Sequence, residues 1–297
     1  MNIGEKIKQL RTRKLMTQSE LAGDSVSRNM LSLIENGRAT PSLQTLEAVA
    51  VKLKVTPAFL VAEEEEQTAL LKQTQMADIR LAFSGKNYRI SSDLCRKLYA
   101  DGLTRDDEVD LIMAESLFEN AKEALLSDHV RIACHLFDES VSYAMRTIYY
   151  TEHLIAAAWL YFEYLGMLSP SLMSENLDAE AAPVSLGAVP SGDIFCRYMG
   201  AILDGEYADE LKILPSDPAY SHLLAAHVRA KRYMRAGEFE RAVGELADIL
   251  HGEDILPGIL LYHVFGDMEE CCQRLGNQKN AKLYRDLKVS QFEKLLS

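Results

Sequence analysis

Apolar residues recur at spacings of three and four along almost the whole chain, and strict alternation of apolar and polar positions is scarce. The first pattern is that of one buried face of an α-helix, whereas alternation is typical of a half-buried strand. The sequence therefore predicts an all-α protein.

Five short helices are predicted within residues 1–61, because each of the last four has its own start signal. The second has a complete capping box, in which Glu20 follows Thr17 by three residues. Asn36-Gly37 ends the third, and proline occupies the first position of the fifth. The predicted caps of helices two to five are Thr17, Ser27, Ser42 and Thr56.

The domain organisation follows from a change of pattern after these helices. Residues 1–61 are predicted to form one domain, residues 62–70 a linker or the start of the next helix, and residues 71–297 a larger domain of helix pairs. The linker contains four consecutive acids, Glu63 to Glu66, which would also suit a first helical turn. Residues 169–192 are rich in proline, glycine and serine, and are predicted to be a loop or an insert.

Charge separates the two predicted domains. The 297 residues carry a net charge of −12, which alone argues against binding to nucleic acid. Residues 1–61, however, hold nine Lys/Arg against five Asp/Glu, a net +4, which leaves −16 on the rest. A basic first domain on an acidic second one is typical of a DNA-binding module joined to a domain that avoids phosphate.

The stretch Thr17 to Gly37 resembles the helix-turn-helix of phage-repressor-like (XRE/Cro-type) regulators in its TQ..LA, SR..LS and IENG motifs, followed by P-S-L. Its apolar residues are spaced to face inward from two helices, and Ala22 is small where those helices must approach closely. Arg11 and Glu35 match positions that form an internal ion pair in related repressors. The inward-facing residues are Leu21, Ala22, Val26, Leu31 and Ile34.

The resemblance assigns DNA contacts to the polar residues around this motif. Ser27, Arg28, Asn29 and Ser32 lie at the outward start of the second helix, the part that enters the major groove. Arginine can read guanine and asparagine can read adenine through paired hydrogen bonds. Gln18 occupies the family's place for a backbone or base contact, and Arg38 and the helix start capped by Ser42 are placed for phosphates.

The motif departs from the family in one respect. Gln18 to Gly37 span 20 positions, one fewer than usual, and Gly23-Asp24-Ser25 replaces the customary turn. The shorter turn bears on the tilt of the recognition helix and leaves open which of its polar residues reaches bases. The alternative is a degenerate module retained for dimer or partner contacts.

Residues 230–250 resemble a tetratricopeptide (TPR) repeat, with Ala230, Tyr233, Gly237, Phe239, Ala242 and Leu246 at the family spacing. Weaker copies centre on Ala121 with Ala133, and on Gly276 with Ala281. The small residues permit close crossing of paired helices. The predicted fold is therefore a five-helix phage-repressor-like domain followed by a TPR-like helical-repeat domain.

This combination is similar to the Rgg/PlcR-type peptide-pheromone receptors of Gram-positive bacteria. The resemblance implies a homodimer on a pseudo-palindromic operator in double-stranded DNA, with a signalling peptide in the concave face of the repeats. Groove-facing positions of two first helices include Glu115, Leu125 and Leu224. The residues proposed to bind the ligand, with a lysine for its carboxylate in each set, are Phe118, Lys122, His227, Lys231 and Met234.

Other functional classes find less support in the sequence. It contains no H-E-x-x-H, G-x-S-x-G, Walker A or G-x-G-x-x-G motif, so we expect no enzyme activity, catalytic residue, metal site or cofactor. The longest apolar run, residues 154–162, is too short to cross a bilayer, and a cytoplasmic location is expected. A TPR-type adaptor for a protein partner, or a body that only dimerises, remains the alternative.

Overall fold

The computed structural model describes residues 3–23, 26–62, 64–103, 105–173, 193–205, 211–218, 220–252 and 256–297. Within these ranges the regular structure consists of fifteen α-helices and one short 3₁₀ helix, and no strand occurs in them. The all-α prediction is confirmed. Contacts divide the chain into two compact units, Met1–Gly85 with Asp93–Arg105 and Lys86–Ser92 with Asp106–Ser297.

The first unit begins with the five predicted helices, α1 Ile3–Arg13, α2 Gln18–Ala22, α3 Arg28–Glu35, α4 Leu43–Leu53 and α5 Pro57–Val61. The predicted caps are confirmed: each hydroxyl accepts a hydrogen bond from the backbone N–H three residues later, at 3.2 Å in every case. Glu20 completes the capping box, because its carboxylate accepts the Thr17 N–H at 2.6 Å. These local signals fix where the helices start.

A small apolar core holds these helices together. All five residues predicted to face inward, Leu21, Ala22, Val26, Leu31 and Ile34, are buried. Helix α1 packs on α3 so closely that a Cβ on Gly4 would overlap the carbonyl oxygen of Ile34. The orientation of α3 is therefore fixed by direct contact with α1.

The boundary between the units lies later in the chain than the predicted residue 61. Helix α6, Glu64–Ser84, starts within the predicted 62–70 segment and packs against α5, so that contacts assign it to the first unit. Helix α7, Tyr88–Ala100, follows after a short turn. Of the four acids proposed as a linker, Glu63 lies outside the described residues, and helix α6 begins at Glu64.

The second unit contains the helices α8 Asp107–Leu126, α9 Val130–Ala144, α10 Glu152–Gly166, α11 Ile194–Asp204, α12 Ser221–Arg235, α13 Phe239–His251, α14 Gly258–Arg274 and α15 Gln278–Leu296. The helices predicted as repeat pairs pack as pairs: α8 with α9, α12 with α13, and α14 with α15. Their small residues are buried at the crossings: Ala121, Ala133, Ala230, Ala242 and Ala281.

The turns within these pairs share one geometry. In each, a backbone N–H donates to the carbonyl five residues earlier: His129 to Ala124, Glu238 to Tyr233, and Asn277 to Cys272. Gly237 precedes one of these donors with φ of 78°, as a helix-ending Schellman turn requires. Asp128 takes the corresponding place between α8 and α9 with φ of 64°.

The predicted break at residues 169–192 is only partly described. Pro170–Leu172 forms the 3₁₀ helix, and residues 174–192 lie outside the described ranges. No helix in the described part of the chain is both long enough and apolar enough to span a membrane.

Candidate nucleic-acid interface and ligand cavity

The start of α3 presents the polar residues predicted to read DNA. Ser27, Arg28 and Asn29 are exposed, and Ser32 is half-buried. Ser27 uses its hydroxyl as the helix cap. Arg28 and Asn29 make no hydrogen bond or ion pair with any residue that the structure describes. No described residue therefore occupies their donors and acceptors.

Two apolar residues on the same helix were missed by the sequence analysis. Met30 is 44% exposed and Leu33 is 42% exposed, although both have the residue type of a core position. The available signal was the surplus of apolar residues: Leu31 and Ile34 already fill the buried face. An exposed apolar side chain beside polar base readers can contact a thymine methyl group.

A largely buried ion pair fixes the C-terminal end of α3. The Arg11 guanidinium donates from Nε to Glu35 Oε1 at 2.7 Å and from Nη2 to Glu35 Oε2 at 3.0 Å. Burial raises the pKa of Glu35, but the hydrogen bonds from Arg11 and Gln18 outweigh it, so the pKa ends below its usual value. The same hydrogen bond to Glu35 raises the pKa of Arg11. The predicted structural role of this pair is confirmed.

The three remaining predicted contacts lie outside α3, at the start of α2, just after α3 and at the start of α4. Gln18 donates a hydrogen bond from its side-chain amide nitrogen to Glu35 Oε2 at 2.7 Å. The amide nitrogen is therefore held by the ion pair, whereas the side-chain carbonyl oxygen is bonded to no described residue. Arg38 is exposed just beyond the end of α3, and Ser42 caps α4. Of the shortened turn, Gly23 is described with φ of 56°, whereas Asp24 and Ser25 lie outside the described residues.

In the second unit, two of the five ligand-groove residues line one cavity. Phe118 and Lys122 on α8 face a space of about 530 Å³. The other walls are Tyr88 of α7, α10, the start of α11, residues 216–218 and Tyr220. The aromatic residues in the lining are Tyr88, Phe118, Tyr161, Phe195 and Tyr220.

Lys122 is already paired within this cavity. Its ammonium lies 2.6 Å from Asp193 Oδ2 and 3.1 Å from Glu119 Oε1. Burial alone would lower its pKa, but the charges of Asp193 and Glu119 outweigh burial and the pKa is raised. The lysine is therefore charged, and it already forms ion pairs with two carboxylates.

The other three groove residues do not line this cavity. His227 is completely buried, with Nδ1 2.7 Å from the Tyr198 hydroxyl and Nε2 2.8 Å from Asp267 Oδ2. Lys231 donates to Asp267 Oδ1 at 2.6 Å. Met234 is partly buried against the core. The prediction that these residues face an open groove alongside Phe118 is thus corrected: Tyr198 on α11 and Asp267 on α14 enclose His227.

Two groups in and beside this buried network, Asp267 and His263, have lowered pKa values. The hydrogen bond and charge of His227, together with Lys231, hold the pKa of Asp267 below its usual value against the effect of burial. Burial, with the nearby charge of His227, lowers the pKa of His263 to about 3. His263 Nε2 is inaccessible to solvent and has no hydrogen-bond partner among the described residues. His263 is therefore neutral at ordinary pH.

No group of three or more His, Cys, Asp or Glu side chains in the described ranges is arranged to hold a metal ion. The cavity walls from α10, α11, residues 216–218 and Tyr220 were missed by the sequence analysis because they lie outside the recognisable repeats. The clustered aromatic residues 161–164 and 195–198 were the only available signal.

Comparisons with known proteins identify the first domain. Residues 7–60 match the model of the helix-turn-helix family. The immunity repressor protein of Bacillus phage phi105 is 33% identical over 129 residues, which cover 42% of this chain and 83% of the repressor. The aligned stretch is longer than the helix-turn-helix match, so the similarity extends beyond that motif.

Two solved structures were aligned over most of the chain. The crystal structure of Bacillus thuringiensis PlcR in complex with the peptide PapR7 and DNA covers 100% of this chain and 99% of its own, with 14% identity and a TM-score of 0.22. The apo form of the competence regulator ComR from Streptococcus vestibularis covers 97% and 91%, with 15% identity and a TM-score of 0.21.

The residues 7–60 that match the family model contain the capped helices, the buried Arg11–Glu35 pair and the exposed polar start of α3. The similarity to the phage repressor extends over most of that protein's length. The chain therefore belongs to the phage-repressor-like (XRE/Cro-type) helix-turn-helix family of DNA-binding regulators, and not to a family of enzymes.

Proposed function

We propose that this chain is a cytoplasmic, homodimeric transcription regulator that reads a pseudo-palindromic DNA site and is controlled by a small ligand, such as a short peptide, bound in its second unit. The observation that carries the DNA-binding part is the exposed start of α3, where Arg28 and Asn29 pair with no described residue, on a helix anchored by the Arg11–Glu35 ion pair. A rigid helix with free polar groups suits direct reading of base edges.

The proposed roles follow from side-chain chemistry. Arg28 and Asn29 read bases, with Ser27 and Ser32 beside them and Met30 against a thymine methyl group. Gln18 contributes its free carbonyl oxygen while Glu35 holds its amide. Arg38 and the first amides of α4, next to Ser42, bind phosphate oxygens.

Dimerisation is proposed because a single helix-turn-helix contacts only a few base pairs. Two copies related by a two-fold axis read two half-sites about one helical turn apart. A native mass measurement of the purified full-length protein should give the dimer mass at micromolar concentration, together with any bound peptide. A monomer that retards no genomic DNA fragment would contradict this proposal.

DNA reading is tested by three substitutions in the protein, each measured for its affinity to a DNA site obtained by in vitro selection with the wild-type protein. Arg28→Ala and Asn29→Ala should each cost about 1–3 kcal/mol and relax the preference at one base pair, because each removes a base-reading side chain. Arg38→Ala should weaken binding to all sequences alike and reduce the salt dependence. Equal, sequence-independent losses from all three variants would show that α3 is not the reading helix.

Ligand control is proposed for the cavity bordered by Phe118 and Lys122. Its volume, about 530 Å³, falls in the range of small-ligand sites, and its walls combine aromatic side chains with a few polar groups. His227, Lys231 and Met234 have no contact role in this proposal, because the buried network and the core occupy them.

A ligand changes DNA binding only if it favours one arrangement of the protein over another. Leu126 lines the cavity mouth and is 39% exposed, so Leu126→Trp should obstruct the cavity without disturbing the core. The matched control is Leu275→Trp, since Leu275 is also 39% exposed but lies outside this lining. We expect the first variant alone to lose ligand-dependent DNA binding in the native host.

Equal behaviour of the two variants would favour the adaptor or dimerisation body instead. A stably bound partner protein in the native mass measurement would point to the adaptor.

A further inference from the structure

The cavity of the second unit carries more negative than positive charge. Lys122 is its one lysine or arginine in the described lining, and it faces three carboxylates, those of Glu115, Glu119 and Asp193. A fourth, Asp217, is paired with Arg197 at 2.6 Å. Since one ammonium cannot neutralise three carboxylates, the cavity retains an excess of negative charge.

Glu115 is the carboxylate left over. Lys122 is bonded to Asp193 and Glu119, and Asp193 also caps α11 through its other oxygen at 2.8 Å from the Phe195 N–H. Glu115 makes no hydrogen bond or ion pair with any described residue. Burial, and then the negative charge of Glu119, raise the pKa of Glu115, which shows that its charge is poorly compensated.

The aromatic walls favour the same kind of partner. The faces of phenyl and phenol rings carry partial negative charge and attract cations. Lys122 already makes such a contact, with its ammonium 5.8 Å from the centre of the Phe118 ring. Tyr88 and Tyr220 bring further rings to the lining, and leucine side chains supply apolar surface between them.

We infer that the cavity selects a ligand that carries an ammonium or guanidinium group on an apolar body, and that Glu115 receives the cation. This inference rests on the proposed function, in which the cavity is the ligand site, and it reverses the expectation that Lys122 binds a carboxylate. The cation could be the amino terminus or a basic side chain of a short peptide, or the amine of a small organic molecule. These sources share the chemistry that the cavity recognises.

Three matched probes of equal aromatic content test the sign of the selected charge. Phenylalaninamide carries an ammonium, N-acetylphenylalaninamide is neutral, and N-acetylphenylalanine carries a carboxylate. Binding to the full-length protein is measured by protein-observed NMR up to about 10 mM, because fragments of this size bind weakly. We expect the cationic probe to bind about tenfold more tightly than the neutral one and the anionic probe to bind least, as one charged hydrogen bond allows.

Glu115→Gln keeps the shape of the side chain and removes its charge. It should weaken the cationic probe about tenfold and leave the neutral probe unchanged. Glu123→Gln is the matched control, because Glu123 lies on the same helix but is exposed outside the cavity. Phenethylamine and a Phe-Ala-Ala-amide tripeptide distinguish the sources: tighter binding of the tripeptide indicates a peptide, and equal binding a small amine.

The outcomes separate this inference from the proposal on which it rests. If all three probes bind equally, or the anionic probe binds best, the charge assignment is overturned while the cavity remains a ligand site. An unchanged affinity of Glu115→Gln for the cation also overturns it. If none of the probes binds, both the assignment and the ligand role of the cavity are overturned.

Discussion

Polar side chains are used in opposite ways on α3 of the first unit and on α12 of the second. Arg28 and Asn29 are exposed and bonded to no described residue. His227 and Lys231 project from α12 into a network completed by Asp267 on α14. The residue types are equally suited to binding, but of these four side chains only those of Arg28 and Asn29 have polar groups that no described residue occupies.

A polar residue near a helix surface belongs to a binding site only if its hydrogen bonds are not already satisfied by the fold. In the first unit, the buried charged side chains are few: Glu35, which pairs with Arg11, and Lys6, which donates to the Ala62 carbonyl oxygen. In the second unit, buried polar groups connect four helices through Tyr164, Tyr198, His227 and Asp267. Stability should therefore respond to different residues in the two units.

The largest effect is expected from Glu35→Ala in the first unit. The substitution removes the acceptor for Arg11 and Gln18 and leaves a largely buried guanidinium without its carboxylate, which costs about 3–5 kcal/mol. Hydrogen exchange should show faster exchange of α1 to α3 amides. The fluorescence of Trp159, the single tryptophan, on α10, should report an unchanged unfolding transition of the second unit.

Glu47→Ala is the control, because Glu47 is an exposed acid on α4. Equal small losses from both variants would show that the ion pair does not anchor α3. A shift of the Trp159 transition as large as that of the α3 amides would show that the two units unfold together.

A smaller loss is expected from Gly4→Ala at the contact of α1 with α3. The added methyl group would overlap the Ile34 carbonyl, and because backbone cannot rotate away, the two helices must separate at a cost of about 2–3 kcal/mol. Urea unfolding followed by circular dichroism measures the loss, and DNA retardation should weaken with it. Wild-type stability in this variant would mean that α1 does not fix the position of α3.

The third prediction concerns the pH dependence of the second unit. Folding depresses the pKa of His263 to about 3, so its stabilising contribution is complete above the unfolded value of about 6.5 and is lost as the pH falls. His227, Lys231 and Lys288 add to this depression, and Asp267 opposes it. We expect the free energy of unfolding, followed by Trp159 fluorescence, to drop by about 2 kcal/mol from this group between pH 7 and 5.

His263→Leu should flatten this part of the pH profile. His251→Leu should keep it, because His251 is exposed at the end of α13. The prediction is contradicted if both variants titrate like the wild type.

The smallest effect is a gain, expected from Gly244→Ala on α13. A Cβ there would meet no atom within 4 Å, so the substitution only removes the conformational entropy of glycine in a helix. Stability of the second unit should rise by about 0.5–1 kcal/mol in the same fluorescence titration. A loss comparable with that of Gly4→Ala would show that α13 packs more tightly than the structure indicates.

Sequence reasoning located α1 to α5 well because their signals are local. The caps at Thr17, Ser27 and Ser42 act on amides three residues away, and their hydrogen bonds form as predicted. The repeat pairs were also visible, since buried alanines and the turn glycine Gly237 lie within one hairpin. Both features depend on interactions between residues close together in the chain, so they can be recognised in a single sequence.

The ligand cavity could not be predicted in the same way. Helical period correctly placed Phe118 and Lys122 on one face of α8, but Asp193, which neutralises Lys122, lies 71 positions later in the chain. The same holds for Asp267, which is 40 residues from His227. Periodicity describes one helix at a time, whereas pairing across helices depends on the assembled core.

The turn between α8 and α9 bears on how the chain acquires its structure. Asp128 accepts the backbone N–H of Gly258 at 2.6 Å, a bond across 130 positions, and α9 also contacts α15. A linear array of repeats could form stepwise as it leaves the ribosome. Here the α8–α9 hairpin lacks these partners until Gly258 and α15 have been synthesised, so the second unit cannot complete its folding one repeat at a time from its first hairpin.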